Sequence, residues 1–205
     1  KSDHPLLILD VGCGTGHHMK IFSEHFKLPI DGLDQSKWMI KKAKLLNPES
    51  NFYHRNFEIS GIFKKPQYSH ILCLFYTIYY SKNLTRVFQN FYSWLLPNGY
   101  AFVHVVKRDQ FDPILDRASS LIPLYDPQKH SKQRMTHTTL HFKEFTYDAD
   151  WDFRGKHADF QETFRFKHEP FQRIQTHHFV LWDLSEIKKT AQSVGLKMIK
   201  AFDLG

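Results

Sequence analysis

The segment that most restricts the fold comes first: Leu6-Leu7-Ile8-Leu9-Asp10-Val11 runs directly into Gly12-Cys13-Gly14-Thr15-Gly16. A short, continuous apolar run suits a strand buried on both faces, as in a parallel sheet covered by helices. Without Cβ atoms, the loop that follows lets backbone N–H groups and a helix start come close to a ligand. Met19, Phe22 and Phe26 then recur at helical spacing through residues 17–27, Pro29 closes that segment, and residues 30–33 read as a second strand. These pieces make a βαβ unit.

The rhythm continues. A helix is expected over 36–46, with Met39, Ala43 and Leu46 on one face, ending before Asn47-Pro48. A short strand follows at 51–54 and an apolar strand at 68–75. Leu84, Val87, Phe88, Phe91 and Leu95 form a helical stripe up to Pro97-Asn98-Gly99, and 100–106 returns as a strand. Strands alternating with helices require crossover connections, so the first hundred residues read as α/β with a mostly parallel sheet.

Beyond Asp109 the texture changes, with aromatic and histidine residues dense and three stretches alternating at period two: 135–147, 160–166 and 173–182. They read as antiparallel strands inserted into the fold. Asp183 with Glu186 makes a capping box for a last helix, with Leu184, Ile187, Ala191 and Val194 facing inward and Gly195 beyond its end. Residues 196–202 would be a final strand. The expected organisation is a single domain over 1–205, with its core in 1–108 and 183–205 and inserted strands at about 130–182.

Composition narrows the classes. No run approaches the roughly 20 apolar residues of a membrane helix, and nothing resembles a signal peptide, so the chain reads as cytoplasmic. The two cysteines, Cys13 and Cys73, fall in unrelated elements rather than in a metal-type spacing. A formal charge of +7 is compatible with a phosphate-bearing partner, although the lysines are scattered at the spacing of solvated helix faces. His137 and His141 share a strand face without further ligands at metal spacing, so no metal is expected. No G-x-S-x-G elbow is present.

The glycine spacing is GxGxG, with His17 where a pyrophosphate-binding loop would place its third glycine. Eighteen residues after Gly16, at the expected tip of the second strand, Asp34 can accept hydrogen bonds from both hydroxyls of a ribose. It can equally cap the next helix. Asp10 to Gly16, followed by Gly32-Leu33-Asp34-Gln35-Ser36 with Met39, resembles the first two motifs of class I S-adenosylmethionine (SAM)-dependent methyltransferases. Leu96-Pro97-Asn98-Gly99-Tyr100 resembles that family's L-x-P-G-G turn into its fifth strand, and 68–80 its fourth strand with the acceptor-facing loop. The likeness runs in order from residue 6 to about 106 and returns at 183–204.

The resemblance implies a Rossmann-like, doubly wound fold and S-adenosyl-L-methionine as cofactor. Its methionine end would lie over Asp10, Gly12, Cys13, Gly14, Thr15 and Gly16, its ribose on Asp34, and its adenine near Met39, Asn56 and Phe57. Gln35 and Phe75 are counted with these. Asn56 departs from the Asp found in many relatives, yet its side-chain carbonyl can accept the same hydrogen bond. A further departure is the start, because Lys1 lies five residues before the first strand and the helices that usually cover the cofactor are not there. Either the sequence is part of a larger chain with additional domains or another element closes the pocket.

Methyl transfer is an in-line displacement that needs alignment and, for a hydroxyl acceptor, a base. Ligands in such folds meet at the carboxyl ends of strands, which nominates Tyr76, Tyr79, Tyr80 and His104. In the inserted strands, Glu162 shares a face with Phe160, Phe164 and Phe166, and His177 one with Phe179 and Leu181. Residues 177–186 resemble the H-x-L-x-x-F-T stretch of small-molecule methyltransferases, including those acting on amino sugars. Packing roles for the tyrosines and for His177 stay open. The expected activity is methyl transfer to a hydroxyl or amine of a small molecule such as a carbohydrate. The alternatives are an RNA or other nucleic-acid methyltransferase, which the lack of Asp/Asn-Pro-Pro-Tyr/Phe and Pro-Cys motifs disfavours, and a SAM-binding domain without turnover.

Overall fold

The computed structural model describes residues 6–107 and 135–202. They belong to two compact units, Lys1–Val105 with Asp183–Gly205 and Val106–Trp182. The change of texture near Asp109 and the region 130–134 lie outside the described residues, as does Leu204. Among those described, no helix is long and apolar enough to cross a membrane.

The first unit is a parallel sheet flanked by helices. Strands β1 (Ile8–Val11), β2 (Ile30–Asp34), β3 (Phe52–His54), β4 (Tyr68–Cys73) and β5 (Leu95–Val103) take the order β3-β2-β1-β4-β5. From β1 the chain builds outward through β2 to β3, and then returns to the other side of β1 with β4 and β5. This reversal puts a topological switch point between β1 and β4, and a ligand crevice opens there at the carboxyl ends of the strands. All four residues of β1 are buried, as its unbroken apolar run requires.

Alternate β1 side chains serve opposite faces of the sheet. Ile8 packs with Met19 of helix α1 (His17–Phe26), Ile40 of helix α2 (Lys37–Leu46) and Leu72 in one apolar cluster. Helix α3 (Leu84–Trp94) buries Leu84, Val87, Phe88, Phe91 and Trp94, and an 11-residue helix of this kind depends on that packing. Each such side chain contributes roughly 1.5–3 kcal/mol. Helix α4 (Leu184–Ser193) begins with the capping box of Asp183 and Glu186 and ends before Gly195 at φ 98°.

Five details of the first unit differ from the sequence reading. The inward face of α2 is Ile40 and Ala43, while Met39 is 37% exposed; adjacent apolar residues at 39 and 40 left the helical phase ambiguous. Leu95 is not the end of a helical stripe but the first residue of β5, extended at φ −75°, ψ 136° and paired with Tyr68. That strand ends at Val103, and β4 at Cys73. On α4 only Ile187 is buried and Leu184 is 55% exposed. Residues 196–202 form no strand, because alternation supplies only a propensity and no ladder partner fixes the segment.

The second unit is an antiparallel meander of β6 (His137–His141), β7 (Phe145–Arg154), β8 (His157–Phe166) and β9 (Gln172–Val180). Four strands replace the three expected: 135–147 is broken at Phe142–Glu144, and Asp148–Arg154 extends β7. A two-residue turn with Gly155 at φ 59° joins Arg154 to His157 and sets the register of the central hairpin. Period two then divides the sheet. Asp148, Asp150, Asp152 and Asp159 lie on one face with Arg154, Arg165, His137 and His178, where Arg165 pairs with Asp148 and Arg154 with Asp159. On the other lie Tyr147, Trp151, Phe160, Phe164 and Phe179 with Glu162 and His177.

Candidate functional site

The switch point is built around the glycine loop. At its start the N–H groups of Gly12 and Cys13 both donate to the carbonyl of Leu33, at 2.7 and 3.1 Å. The next amide, Gly14, donates to Asp34 Oδ2 at 2.9 Å, and Asp34 Oδ1 accepts from Ser36 N–H at 2.7 Å. Asp34 therefore joins the ends of β1 and β2. The capping role falls to Ser36, whose hydroxyl accepts from Met39 N–H. Gly12, Gly14 and Gly16 have φ of 72°, 54° and 75°, a region costly for other residues.

The glycines do different work. A Cβ on Gly12 would lie 2.5 Å from Thr77 Cγ2, so this glycine admits the segment after β4. One on Gly16 would meet Asn47 at 2.6 Å, whose side-chain amide donates to the Gly16 carbonyl at 2.9 Å. A Cβ on Gly14 would have no neighbour within 4 Å, and Thr15 beside it is exposed. Gly14 thus borders open space at the carboxyl end of β1.

Beneath the loop Asp10 is 3% exposed, and burial together with the charge of Asp34 pushes its carboxyl up to about 7. The unfolded chain loses this proton near 3.8 and the folded chain near 7, so between those values the folded state holds the extra proton. Its contribution to stability is therefore present at low pH and declines as pH rises through that window. Asp10→Asn is expected to flatten this decline. Urea midpoints of the two proteins at pH 5 and pH 7.5 measure the difference, and parallel slopes would refute the assignment. Burial also raises the thiols of Cys13 and Cys73, which keeps both protonated and poor nucleophiles.

Opposite the loop, the chain leaves β4 through Phe75 and Tyr76 at φ 47° and 62°, two consecutive left-handed residues with side chains. Such backbone persists only where its surroundings hold it. The 3₁₀ turn Thr77–Tyr80 follows, with Thr77 against Gly12, Tyr79 1% exposed and Tyr80 37% exposed. Phe75 is 59% exposed and stacks on His18 of α1 at 4.6 Å, while His104, just beyond β5, lies 5.0 Å from the Tyr76 ring. The structure thus brings Phe75, Tyr76 and His104 together and encloses Tyr79 in the core.

At the end of β3, Asn56 Oδ1 accepts from Glu58 N–H at 2.8 Å, and Phe57 is buried with its carbonyl accepting from Asn90 Nδ2. The carbonyl of Gln35 accepts from the His54 ring at 2.9 Å. Glu58 Oε1 accepts from Ser81 Oγ and the N–H groups of Lys82 and Asn83, tying this loop to the end of the 3₁₀ turn.

The second unit brings Glu162 and His177 together. Tyr147 O–H donates to Glu162 Oε1 at 2.8 Å, and His177 Nε2 lies 3.1 Å from Oε2. Burial raises the Glu162 carboxyl, but hydrogen bonds from His177 and Tyr147, with the charges of His177 and Arg173, outweigh it and hold the group below its ordinary range. His137 and His141 do not converge: His137 pairs with Asp150 and Thr139, and His141 with Thr146.

His18, Glu58 and the contact of Thr77 with Gly12 escaped the sequence reading. His18 was legible only as half of a histidine pair after the loop. Thr77 and Glu58 act through contacts 65 and 23 to 25 residues away, and no local pattern encodes those.

A family model described as a methyltransferase domain matches residues 2–201. The chain belongs to this family, whose cofactor is S-adenosylmethionine. Over 99 residues it is 27% identical to a dTDP-3-amino-3,6-dideoxy-α-D-glucopyranose N,N-dimethyltransferase of Streptomyces fradiae, a stretch covering 47% of this chain and 38% of that protein. The chain thus matches well under half of that curated relative. A sugar N-methyltransferase from Streptoalloteichus superposes with a TM-score of 0.68 at 14% identity, covering 94% of this chain and 72% of the other. For a SAM-bound amino pentose methyltransferase from Micromonospora echinaspora the TM-score is 0.65 at 14% identity, covering 93% and 75%. At such identities the likeness is one of fold.

Two features of this chain fit its family's cofactor. A carboxylate offers about four lone-pair positions, and the two hydrogen bonds at Asp34 leave capacity for the two hydroxyls of a ribose. The space beside Gly14 accommodates a ligand against bare backbone.

Proposed function

We propose that this protein transfers the methyl group of S-adenosylmethionine to a nitrogen or oxygen of a small, sugar-like acceptor, its two compact units serving one activity. The observation that carries this reading is the meeting of the glycine loop with the segment after β4 at the switch point, seen in the Thr77–Gly12 contact. When bound, the cofactor supplies an electrophilic methyl on a sulfonium. Asp10, Gly12, Cys13, Gly14, Thr15 and Gly16 would hold its methionine end, Asp34 and Gln35 its ribose, and Met39, Asn56 and Phe57 its adenine. The carbonyl oxygen of Asn56, which has two lone pairs, keeps one for the adenine amino group beyond its bond to Glu58. Phe75 lines the cofactor side.

Tyr76, Tyr80 and His104 serve the acceptor by excluding water and orienting its reacting atom, and Tyr79 acts beneath them as a positioning residue. Aromatic rings with a few polar tips suit a compact acceptor with both apolar faces and hydroxyls. Glu162 and His177 of the antiparallel unit are further candidate catalytic residues, joined by their own hydrogen bond. The names of the Streptomyces and Streptoalloteichus proteins support a sugar as acceptor.

Incubation with methyl-labelled SAM and, separately, a panel of nucleotide-linked amino sugars, their hydroxyl counterparts, and RNA tests the reading. Label is expected on a sugar and not on RNA. Transfer to RNA alone would overturn it.

A further inference from the structure

Phe75 and Tyr76 are the central pair of a tight turn, closed by Thr77 N–H donating to the Leu74 carbonyl at 3.1 Å. With both at positive φ, 47° and 62°, this is the mirror-image turn that sequences ordinarily build from Asn and Gly. Two aromatic side chains at those positions set local preference against the fold, so contacts outside the turn have to hold it.

Thr77, seated in the space that Gly12 leaves open, anchors the end of the turn. The Phe75 ring supplies a second tie. Although 59% exposed, it stacks on His18 with centroids 4.6 Å and planes 29° apart, and it meets His104 edge-on at 6.2 Å. His18 is the second residue of α1, directly after the glycine loop, so the stack joins that helix start to the turn after β4 within the first unit. Burial, and then the neighbouring His17, pull the His18 imidazole below its ordinary range, so the ring that stacks is neutral. A neutral imidazole offers a flat face, and stacked rings at this separation attract.

We propose that His18 is a positioning residue of the cofactor site: by stacking on Phe75 it holds the turn against the glycine loop and keeps the Phe75 ring in place along the cofactor. This step rests on the reading of Phe75 as a residue that lines the cofactor side. The role is that of an aromatic face, which another flat ring can fill and a methyl group cannot.

The turn is read first, without cofactor, from the three-bond backbone NMR couplings of Phe75 and Tyr76 in the full chain, which report φ. Couplings of positive φ are expected in the unsubstituted protein and in His18→Phe, and averaged couplings in His18→Ala. Calorimetric titration with SAM is the second readout. His18→Ala should bind SAM about three- to tenfold more weakly, the worth of one aromatic pair, and His18→Phe within about twofold of the unsubstituted protein. In a Phe75→Ala background, where the stack is already gone, adding His18→Ala should weaken binding no further. Unaltered couplings in His18→Ala, His18→Phe binding as weakly as His18→Ala, or additive losses in the double variant would overturn the role. The two ideas fail separately. Normal SAM binding with couplings and affinity indifferent to His18→Ala refutes the positioning role alone, whereas no SAM binding by the unsubstituted protein refutes the cofactor reading, and couplings that still respond to His18→Ala then leave the hold on the turn standing.

Discussion

Replacing Asp34 with Ala is expected to weaken S-adenosylmethionine binding by about ten- to a hundredfold. The loss corresponds to about 1.5–3 kcal/mol for ribose hydroxyls bonded to a carboxylate, at about 1.4 kcal/mol per tenfold. The same side chain accepts from the Gly14 and Ser36 amides, so its removal also frees the glycine loop from the tip of β2. Asp34→Asn keeps one acceptor oxygen and should lie between the two. Calorimetric titration gives the affinities, and an Ala variant binding as tightly as the unsubstituted protein would remove Asp34 from the cofactor site.

Gly12→Ala should cost more in stability than Gly14→Ala in the same loop. The residue stands at φ 72°, where a side chain costs about 1–2 kcal/mol. Its Cβ would also lie 2.5 and 2.6 Å from Cγ2 and Oγ1 of Thr77, and overpacking of this kind costs about 1–3 kcal/mol. A total of about 2–5 kcal/mol is expected from urea denaturation. Combining Gly12→Ala with Thr77→Ala should recover most of the steric part and none of the backbone part, which a double-mutant cycle separates. A Gly14→Ala variant, which meets no neighbour, should lose only the backbone part. Equal losses at Gly12 and Gly14 would contradict the Thr77 contact.

Much of the first unit was legible because its signals are local. A glycine loop at the end of an apolar run and an acid eighteen residues later mark β1, the turn and the tip of β2 without reference to the rest of the chain. The same holds for the capping box at Asp183 and Glu186, found where expected. The misreadings lie where local pattern and tertiary pairing diverge. Leu95 continues the period of α3, yet Pro97 two residues on bars a longer helix and pairing with Tyr68 draws the residue into β5. The second half of β7 was overlooked because Asp148, Asp150 and Asp152 make the segment look like a polar loop; on a strand they all point to one face.

The candidate site divides in the same way. Residues of the loop and of the tip of β2 could be named from spacing; Phe75 and Tyr76 were named from their place after β4, but their left-handed backbone was not legible, since side-chain-bearing residues rarely adopt that geometry and carry no mark of it. The Glu162–His177 pair was visible as two residues on aromatic faces. Its joining across β8 and β9, with Tyr147 on the third strand, came from the pairing of three strands, of which the Gly155 turn sets the register of β7 against β8 alone.

The central claim is that the glycine loop and Asp34 form a S-adenosylmethionine site, and its most direct test is calorimetric titration of the purified protein with that cofactor and, separately, with NAD and NADP. Saturable micromolar binding of S-adenosylmethionine alone is the predicted result, whereas binding of a nicotinamide cofactor, or of none of the three, would contradict it.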